Sequence, residues 1–437
     1  MNASWISAGI PPNWQVKKLR YTCSSIKTGS TPSSHFIDAD STPESVRWFT
    51  PVDFSESIYL NTSKRGIRDE AIVGGEAELF PEKSVYAVGI GSIGKVGLCK
   101  VKASANQQLN VLTPNKTTDA RFLAYSLLNQ ADLLLALANT ATLPILNQQR
   151  MGDVHIAVPS YSTQRAIADY LDRETARLDA LMAAKKRVLG LLAEKRRALI
   201  TRAVTRGLDP RAPLRDSGIP WLGEIPAHWV ATRLKFVADV RGGITIGQRY
   251  STTDLIEMPY LRVANVQDGR LDLTEVATVL LPRDEAAARM LAAGDVLMNE
   301  GGDADKLGRG CVWRSEIERC LHQNHVFAVR PRHVLSDWLN IWTSTDGAKA
   351  FFESRAKQST NLASISATNI KELPIPLPPA EEQSAIVEQV NDAGTKLDVM
   401  CAATERTIAL LKERRAALIA AAVTGQIEMD DRRRSVG

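Results

Sequence analysis

Ile10-Pro-Pro-Asn-Trp14 recurs as Ile225-Pro-Ala-His-Trp229, each followed five residues later by a leucine, Leu19 or Leu234, at an offset of 215 residues. Farther along, Gln164–Thr205 aligns without gaps on Gln383–Thr424 at an offset of 219, with 18 of 42 positions identical. Between these anchors the correspondence thins. Trp48-Phe-Thr-Pro-Val52 falls opposite Tyr260-Leu-Arg-Val-Ala264, and Asn106-Gln-Gln108 opposite His322-Gln-Asn324. A chain repeated on this scale is expected to fold as two copies of one unit, each a globular domain followed by one helix. The ends of the copies are alike and the middles differ.

The helices carry the strongest periodicity. After Ser162 or Thr163, either of which suits an N-cap, Ile167, Leu171, Leu178, Leu181, Val188, Leu192 and Leu199 fall on alternating three- and four-residue steps. The second copy gives Ile386, Val390, Ala393, Leu397, Met400, Leu411 and Leu418 in the same register, after the Pro374-Ile-Pro-Leu-Pro-Pro379 stop. Each helix would be roughly 60 Å long at 1.5 Å per residue. Neither can bury its stripe alone, so the two seams are expected to pack on each other and leave some apolar surface for another subunit. Glu174, Lys185 and Lys195 interrupt the stripe and help set its register. Two separate amphipathic helices, each lying on its own domain, satisfy the same periodicity.

The remaining sequence mixes short β-type runs, Ser84–Val88, Asp295–Met298 and His325–Val329, with helical stretches at Thr118–Asn129 and Ser336–Ser344. The expected fold class is therefore α+β, with two similar mixed α/β domains. Residues 1–160 form the first, 161–206 the first long helix, 207–224 a linker rich in Gly and Pro, 225–378 the second domain, 379–425 the second long helix and 426–437 a tail.

A length of 437 residues suits two or three domains. The longest apolar run, Ala416–Val423, falls far short of the roughly 18 residues of a membrane span, and Met1–Trp14 lacks a basic-then-apolar signal pattern. Five cysteines, Cys23, Cys99, Cys311, Cys320 and Cys401, at irregular spacing argue against a disulfide framework. A cytoplasmic protein with free thiols and no membrane partner is expected. The net charge of +5 is compatible with an anionic partner and too mild to establish one.

Two motifs suggest cofactors and fail on context. Gly89-Ile-Gly91-Ser-Ile-Gly94 has dinucleotide-fingerprint spacing and, with Lys95, approaches a phosphate-binding loop. Val96 stands where that loop needs Ser or Thr, and Val96–Val101 reads as strand where a dinucleotide site needs a helix. A tight glycine turn between strands is expected instead. Cys311, Cys320, His322 and His325 match no usual zinc spacing, and their counterparts in the first copy include Asn106 and Leu109, so the shared architecture requires no metal. No Asn/Asp-Pro-Pro-aromatic run of an amino-methyltransferase and no Glu-x-Lys of a nuclease site occurs. No catalytic, cofactor-binding or metal-binding residue is assigned.

Basic residues follow one another at Lys185, Lys186, Arg187, Lys195, Arg196, Arg197, Arg202 and Arg206 with Glu194 the only acid among them, which suits a solvated helix face or contact with phosphates or an acidic partner. In the globular parts, side chains that can hold phosphates or read base edges sit in Gly-, Ser- and Asn-rich loops. In the first copy these are Lys27, Ser30, Thr31, Lys64, Arg65, Arg68, Lys95 and Gln107; in the second they are Arg241, Gln248, Arg249, Arg262, Asn265, Lys306, Arg309 and Gln323.

The pattern resembles the specificity subunit of type I restriction-modification systems over nearly the whole chain. It does so through the doubled Ile-Pro-x-x-Trp with its leucine, Gly29-Ser-Thr-Pro32, Gly91-Ser-Ile-Gly-Lys95, the Pro-rich step into Gln164 or Glu382-Gln383, and Ala203-Val-Thr205 and Ala422-Val-Thr-Gly425 at the helix ends. The resemblance implies two target-recognition domains, each reading half of a bipartite double-stranded DNA site through the major groove. It implies that the long helices form an antiparallel coiled coil acting as a ruler. It places methylation on modification subunits, two of them, with S-adenosylmethionine, and cutting on restriction-translocase subunits with ATP and Mg. Around Lys306-Leu-Gly308 the second copy departs from the first, so loop contacts do not transfer between copies. A self-contained nucleotide-using or DNA-modifying enzyme, resting on the glycine loop, and a tandem scaffold that binds partners without DNA are the alternatives.

Overall fold

Short β-branched runs bounded by glycine and proline become strands in both copies. The computed structural model describes residues 9–138, 143–251, 254–302, 307–358 and 363–427. It divides the chain into two units, residues 1–187 with 404–437, and residues 188–403.

Unit 1 holds β1 (Gln15–Lys18), β2 (Cys23–Thr28), β3 (Ile37–Asp38), β4 (Val46–Phe49), β5 (Arg65–Ile67), β6 (Ser84–Val88), β7 (Val96–Cys99), β8 (Ser104–Ala105), β9 (Leu109–Pro114) and β10 (His155–Val158). One sheet runs β2-β9-β6-β7, antiparallel throughout; a second runs β3-β5-β4-β8 with β4 and β8 parallel. β6 is buried along its whole length because both faces are covered. Val85 and Ala87 pack with Leu112 against Phe122, Leu123 and Leu127 of the helix Ala120–Leu128, while Tyr86 and Val88 pack with Val111, Phe49 and Phe80. β1 and β10 pair antiparallel, Lys18 opposite His155, and so clasp the two ends of the domain.

Unit 2 repeats this plan. Its strands are β11 (Leu214–Asp216), β12 (Glu224–Pro226), β13 (Val230–Arg233), β14 (Ala238–Gly242), β15 (Leu255–Leu261), β16 (Ala277–Pro282), β17 (Val296–Asn299), β18 (Gly301–Gly302), β19 (Gly310–Val312), β20 (Leu321–His322), β21 (Val326–Pro331), β22 (Lys357–Gln358), β23 (Ala363–Ser364) and β24 (Pro374–Leu377). The sheet β14-β21-β17-β19 answers β2-β9-β6-β7, β16-β15-β20 answers the mixed sheet, and β13 and β24 form the clasp, Arg233 opposite Pro374. A three-stranded β18-β23-β22 patch is present here. The connector read from sequence as a linker is structured: β11 and β12 form a hairpin, and Trp221 stacks on Trp342 with ring centroids 5.9 Å apart.

The long helices run Tyr161–Arg206 and Ala380–Val423. Ser160 accepts from the Thr163 N–H at 3.3 Å, so the first is capped two or three residues earlier than the expected Ser162 or Thr163. Within unit 1, Ile167, Ala168 and Leu171 share a core with Ile419, Ala422 and Val423, and Leu178 and Met182 pack on Leu411. Within unit 2, Leu199, Ala203 and Val204 share a core with Ile386 and Val390. In each unit the numbers rise along one helix as they fall along the other, so the pairing is antiparallel.

Half of the expected seam is corrected. Leu171, Leu178, Leu192, Val390, Leu397 and Leu411 are buried, and Leu199 and Leu418 partly so. Leu181, Val188 and Met400 are exposed (44%, 38% and 51%), and Ala393 is half-buried. The second seam position lies one residue later, at Ala168, Thr175, Met182, Leu189 and Arg196, and at Val387, Gly394, Cys401, Ile408 and Arg415, each buried or half-buried. Ile167 and Ile386 are fully buried because the globular domains pack on them.

Candidate nucleic-acid interface

One end of the main sheet collects the polar loops of unit 1. There β2 leads into Gly29, whose N–H donates to Leu109 O at 3.0 Å, and the Ser30 N–H donates to Ala105 O at 2.8 Å. A Cβ on Gly29 would lie 2.3 Å from Ala105 O, so only glycine permits this crossing. The crossing sets Ser30, Thr31 and Gln107 side by side: Thr31 Oγ1 donates to Gln107 Oε1, Ser30 Oγ to Glu76 O at 2.9 Å, and the Trp48 indole to Ser30 O at 3.1 Å. Next to them Gly89 donates to Gln108 O at 2.7 Å, and Val88 to Lys95 O at 3.0 Å. Gly91 and Gly94, both at positive φ, turn the chain from β6 to β7. The glycine motif is thus a tight turn between strands, and it presents Lys95 to solvent.

The other cations of the first copy are placed differently. Lys27 is on β2 and pairs with Glu78 at 2.5 Å. Lys64, Arg65 and Arg68 border the mixed sheet on and around β5, exposed, with Arg68 Nε 3.4 Å from Asp38.

Unit 2 builds the same end. Ile244 donates to His322 O at 2.8 Å and Gln323 to Leu261 O at 2.8 Å; a Cβ on Gly243 would lie 2.0 Å from His322 O. These bonds correct the repeat by one residue: His322 answers Ala105, and Gln323 answers Asn106 rather than Gln107. They also show an equivalence hidden in the sequence. Asn299 donates to Arg309 O at 2.9 Å as Val88 does to Lys95 O, so Arg309 and Lys95 hold the same place.

Arg309 Nη2 reaches Gln267 Oε1 at 2.5 Å, a partner that no pattern in the sequence marks, and its buried Nε has no partner. Arg241, Gln248 and Arg249 are exposed, Gln248 accepting from the Tyr250 hydroxyl at 3.2 Å. Arg262 Nη2 is 3.8 Å from Glu275. Lys306 lies outside the described residues. Asn265 leaves the candidate set: it is 3% exposed, and its amide donates to Asp272 O and Glu275 O at 2.8 Å while its carbonyl accepts from Arg262 N–H. Its task is to hold the 262–275 loop closed.

His322 is buried and donates Nδ1–H to Val326 O at 2.6 Å; burial lowers its pKa, so it is neutral at pH 7. His325, by contrast, is exposed and pairs with Glu300 at 2.6 Å. Cys311 and Cys320 belong to the apolar core, where burial pushes both thiols up to about 12. Among the described residues no group of three or more His, Cys, Asp or Glu side chains is arranged to hold a metal.

Each globular domain is tied to its helix by one glutamine. Gln164 accepts from Asp119 N–H at 2.9 Å and donates to Pro159 O and Thr117 O; Gln383 accepts from Leu335 N–H at 2.9 Å and donates to Pro378 O. In unit 1, Arg121 adds bonds to Asp169 and Asp172 at 2.8 and 3.0 Å, and Tyr59 and Tyr125 donate to Asp172. Desolvation and the neighbouring carboxylate raise both phenol pKa values above the ordinary range.

The family model of the type I restriction modification DNA specificity domain matches residues 11–190 and again 226–400. The specificity subunit of the type I restriction enzyme EcoKI from Escherichia coli K12 is 23% identical over 368 residues, 80% of this chain and 76% of that one. The MjaIX specificity subunit of Methanocaldococcus jannaschii is 25% identical over 271 residues, 60% of each chain. The curated relatives are matched over 40% to 79% of their own length. A chain in a structure of a type I restriction-modification system, solved for its assembly and conformational transition, has a similar fold: TM-score 0.70 at 16% identity, covering 96% of this chain and 99% of that one. The HsdS subunit of Thermoanaerobacter tengcongensis gives a TM-score of 0.52 at 16% identity, covering 96% and 98%. With both copies of the repeat matched by the family model, the chain belongs to the type I restriction-modification DNA specificity family, as a DNA-binding specificity subunit.

Proposed function

We propose that each unit reads one half of a bipartite double-stranded DNA site with the glycine-lined end of its main sheet. The observation that carries this reading is the equivalence of Lys95 and Arg309. Two domains of divergent loop sequence place a cation at the same point, beside a glycine crossing that brings backbone amides and Gln107 or Gln323 to the same end. Lysine, arginine and amide side chains on exposed strand ends supply phosphate and base-edge contacts. Modification subunits, two per chain, dock on the helices and bring S-adenosylmethionine and the adenine chemistry. Restriction-translocase subunits bring ATP, Mg and cleavage, and the assembly works in the cytoplasm.

The test is methylation mapping with the complete complex carrying Lys95→Ala or Arg309→Ala. Lys95→Ala is expected to weaken use of the first half-site and Arg309→Ala the second, each with a shallower salt dependence of binding. Equal loss at both half-sites from either variant contradicts independent reading heads.

A further inference from the structure

Arg309, which holds the place of Lys95, is fixed in unit 2 at both its backbone and its side chain. It stands between two glycines that the surroundings require. A Cβ on Gly308, at φ +67°, would lie 2.4 Å from the Phe352 ring, and one on Gly310 would lie 1.8 Å from Leu297 O. The Gly308 N–H donates to Asn299 O at 3.2 Å and the Asn299 N–H to Arg309 O at 2.9 Å, so the chain is pinned on both sides of the arginine.

The side chain is held by Gln267, whose Oε1 accepts from Arg309 Nη2 at 2.5 Å. Gln267 is itself fixed: its Nε2 donates to Ala264 O at 2.7 Å and its N–H to Arg270 O at 2.9 Å. With Nε2 committed to Ala264, the amide oxygen is the end that meets the guanidinium. The Gly269 N–H donates to Gly310 O at 2.9 Å and ties the loop of Gln267 to the strand that follows Arg309. This partner is neutral. Arg314, Arg330 and Arg332 of the same unit each pair with a carboxylate, whereas among the described residues Arg309 pairs with none. A half-buried guanidinium whose Nε is buried and unpaired, held by an amide alone, keeps an uncompensated charge, a cost that a partner outside the chain would offset.

We infer that Arg309 reads a guanine of the second half-site through its two Nη groups, and that Gln267 is the positioning residue that sets the plane of the fork. The inference rests on the reading end proposed above. Guanine O6 and N7 accept two parallel N–H bonds in the major groove, a contact that requires the guanidinium plane to be set. A phosphate requires only a positive charge within reach, which the exposed Lys95 supplies at the same point of unit 1. The two half-sites are therefore read unequally at this point, by geometry in the second and by charge in the first.

The experiment maps methylation by the complete complex carrying Arg309→Ala, Arg309→Lys or Gln267→Met. Arg309→Lys keeps the charge and loses the fork; it is expected to lower the preference for guanine at one position of the second half-site about tenfold or more, with the salt dependence of binding unchanged. Gln267→Met removes the acceptor at similar volume and is expected to relax that same position. Were Gln267 only a support for its loop, use of the whole half-site would fall with no change of preference at any position. The inference is overturned if either variant leaves every base preference as in wild type, if the two relax different positions, or if the wild-type second half-site contains no G·C pair. Failure of the reading end is distinct, because Arg309→Ala would then leave the second half-site as it was. If Arg309→Ala weakens that half-site and Arg309→Lys restores it in full, the end reads DNA and Arg309 is a phosphate contact.

Discussion

Arg415 donates through Nε to Asp179 at 2.9 Å, and the residues that answer them across the 219-residue repeat, Arg196 and Asp398, form the same pair with the helices exchanged. The first pair belongs to unit 1 and the second to unit 2. A duplicated helix that pairs antiparallel with its own copy must generate each contact twice, and this ion pair is the polar signature of that arrangement.

The two copies of the pair differ in burial, and this sets their energetic weight. The Arg415 side chain is 11% exposed and Asp179 29%, and Arg415 also donates to Glu56 O at 2.7 Å. Removing Arg415 strands a carboxylate and a carbonyl, so Arg415→Ala is expected to destabilise unit 1 by about 2 kcal/mol. Arg196 and Asp398 are 39% and 66% exposed, and Arg196→Ala is expected to cost unit 2 only about 0.5 kcal/mol. Denaturant unfolding followed by hydrogen exchange in each unit measures both, and equal losses contradict the burial argument.

The repeat, the strand runs and the two helices were legible because each rests on local pattern. The seam was legible only in part: apolar weight favours Leu181, Val188 and Met400, while the paired helices bury Met182, half-bury Leu189 and Cys401, and give two seam positions to Arg196 and Arg415. Arginine at a seam reads as an interruption until its carboxylate is seen. At the recognition end, Gly29, Ser30, Thr31, Lys95 and Gln107 could be singled out by residue type. Their convergence could not, because it depends on pairing between strands about 80 residues apart. The equivalence of Lys95 and Arg309 was hidden by the longer loop before Arg309, and Asn265 looked like a base reader because nothing local shows that its amide is consumed internally.

Cysteine chemistry should follow burial. Desolvation pushes Cys23 up to about 11 and Cys311 and Cys320 up to about 12 from an ordinary 9. Raised folded-state values mean that these thiols add stability below pH 9 that is lost as pH rises from 9 toward 12. At pH 8.5, iodoacetamide is expected to modify the half-buried Cys401 well before Cys23, Cys311 or Cys320 in the folded chain. Mass spectrometry of timed samples checks this; comparable rates at all four count against it.

The glycine crossings give a test confined to one half-site at a time. A methyl group at Gly29 or Gly243 would come within 2.3 or 2.0 Å of a carbonyl oxygen, so the strand carrying Gln107 or Gln323 must shift. Gly243→Ala is expected to lower affinity for the second half-site at least tenfold, about 1.4 kcal/mol, and to leave the base preference of the first unchanged. Gly29→Ala should do the converse. Binding measured on DNA with one half-site scrambled separates the two, and a loss common to both halves argues against separate reading ends.

The helices provide the last test, because each continues from one unit into the other: Tyr161–Arg206 and Ala380–Val423 both cross the boundary between the units. If they set the spacing of the half-sites, adding one heptad to both, after Arg187 and after Arg406, lengthens each by roughly 10 Å at 1.5 Å per residue while every seam residue keeps its face. That length corresponds to about three more unread base pairs at about 3.4 Å each. The added DNA also turns one half-site by roughly 100°, whereas seven residues barely rotate a helix, so affinity should fall and bending or twisting should hold the gain at three or fewer. Methylation mapping with the lengthened subunit assembled with its partners reads the gap directly. Modification that persists with both half-sites intact and the original gap would show that the helices do not set the spacing.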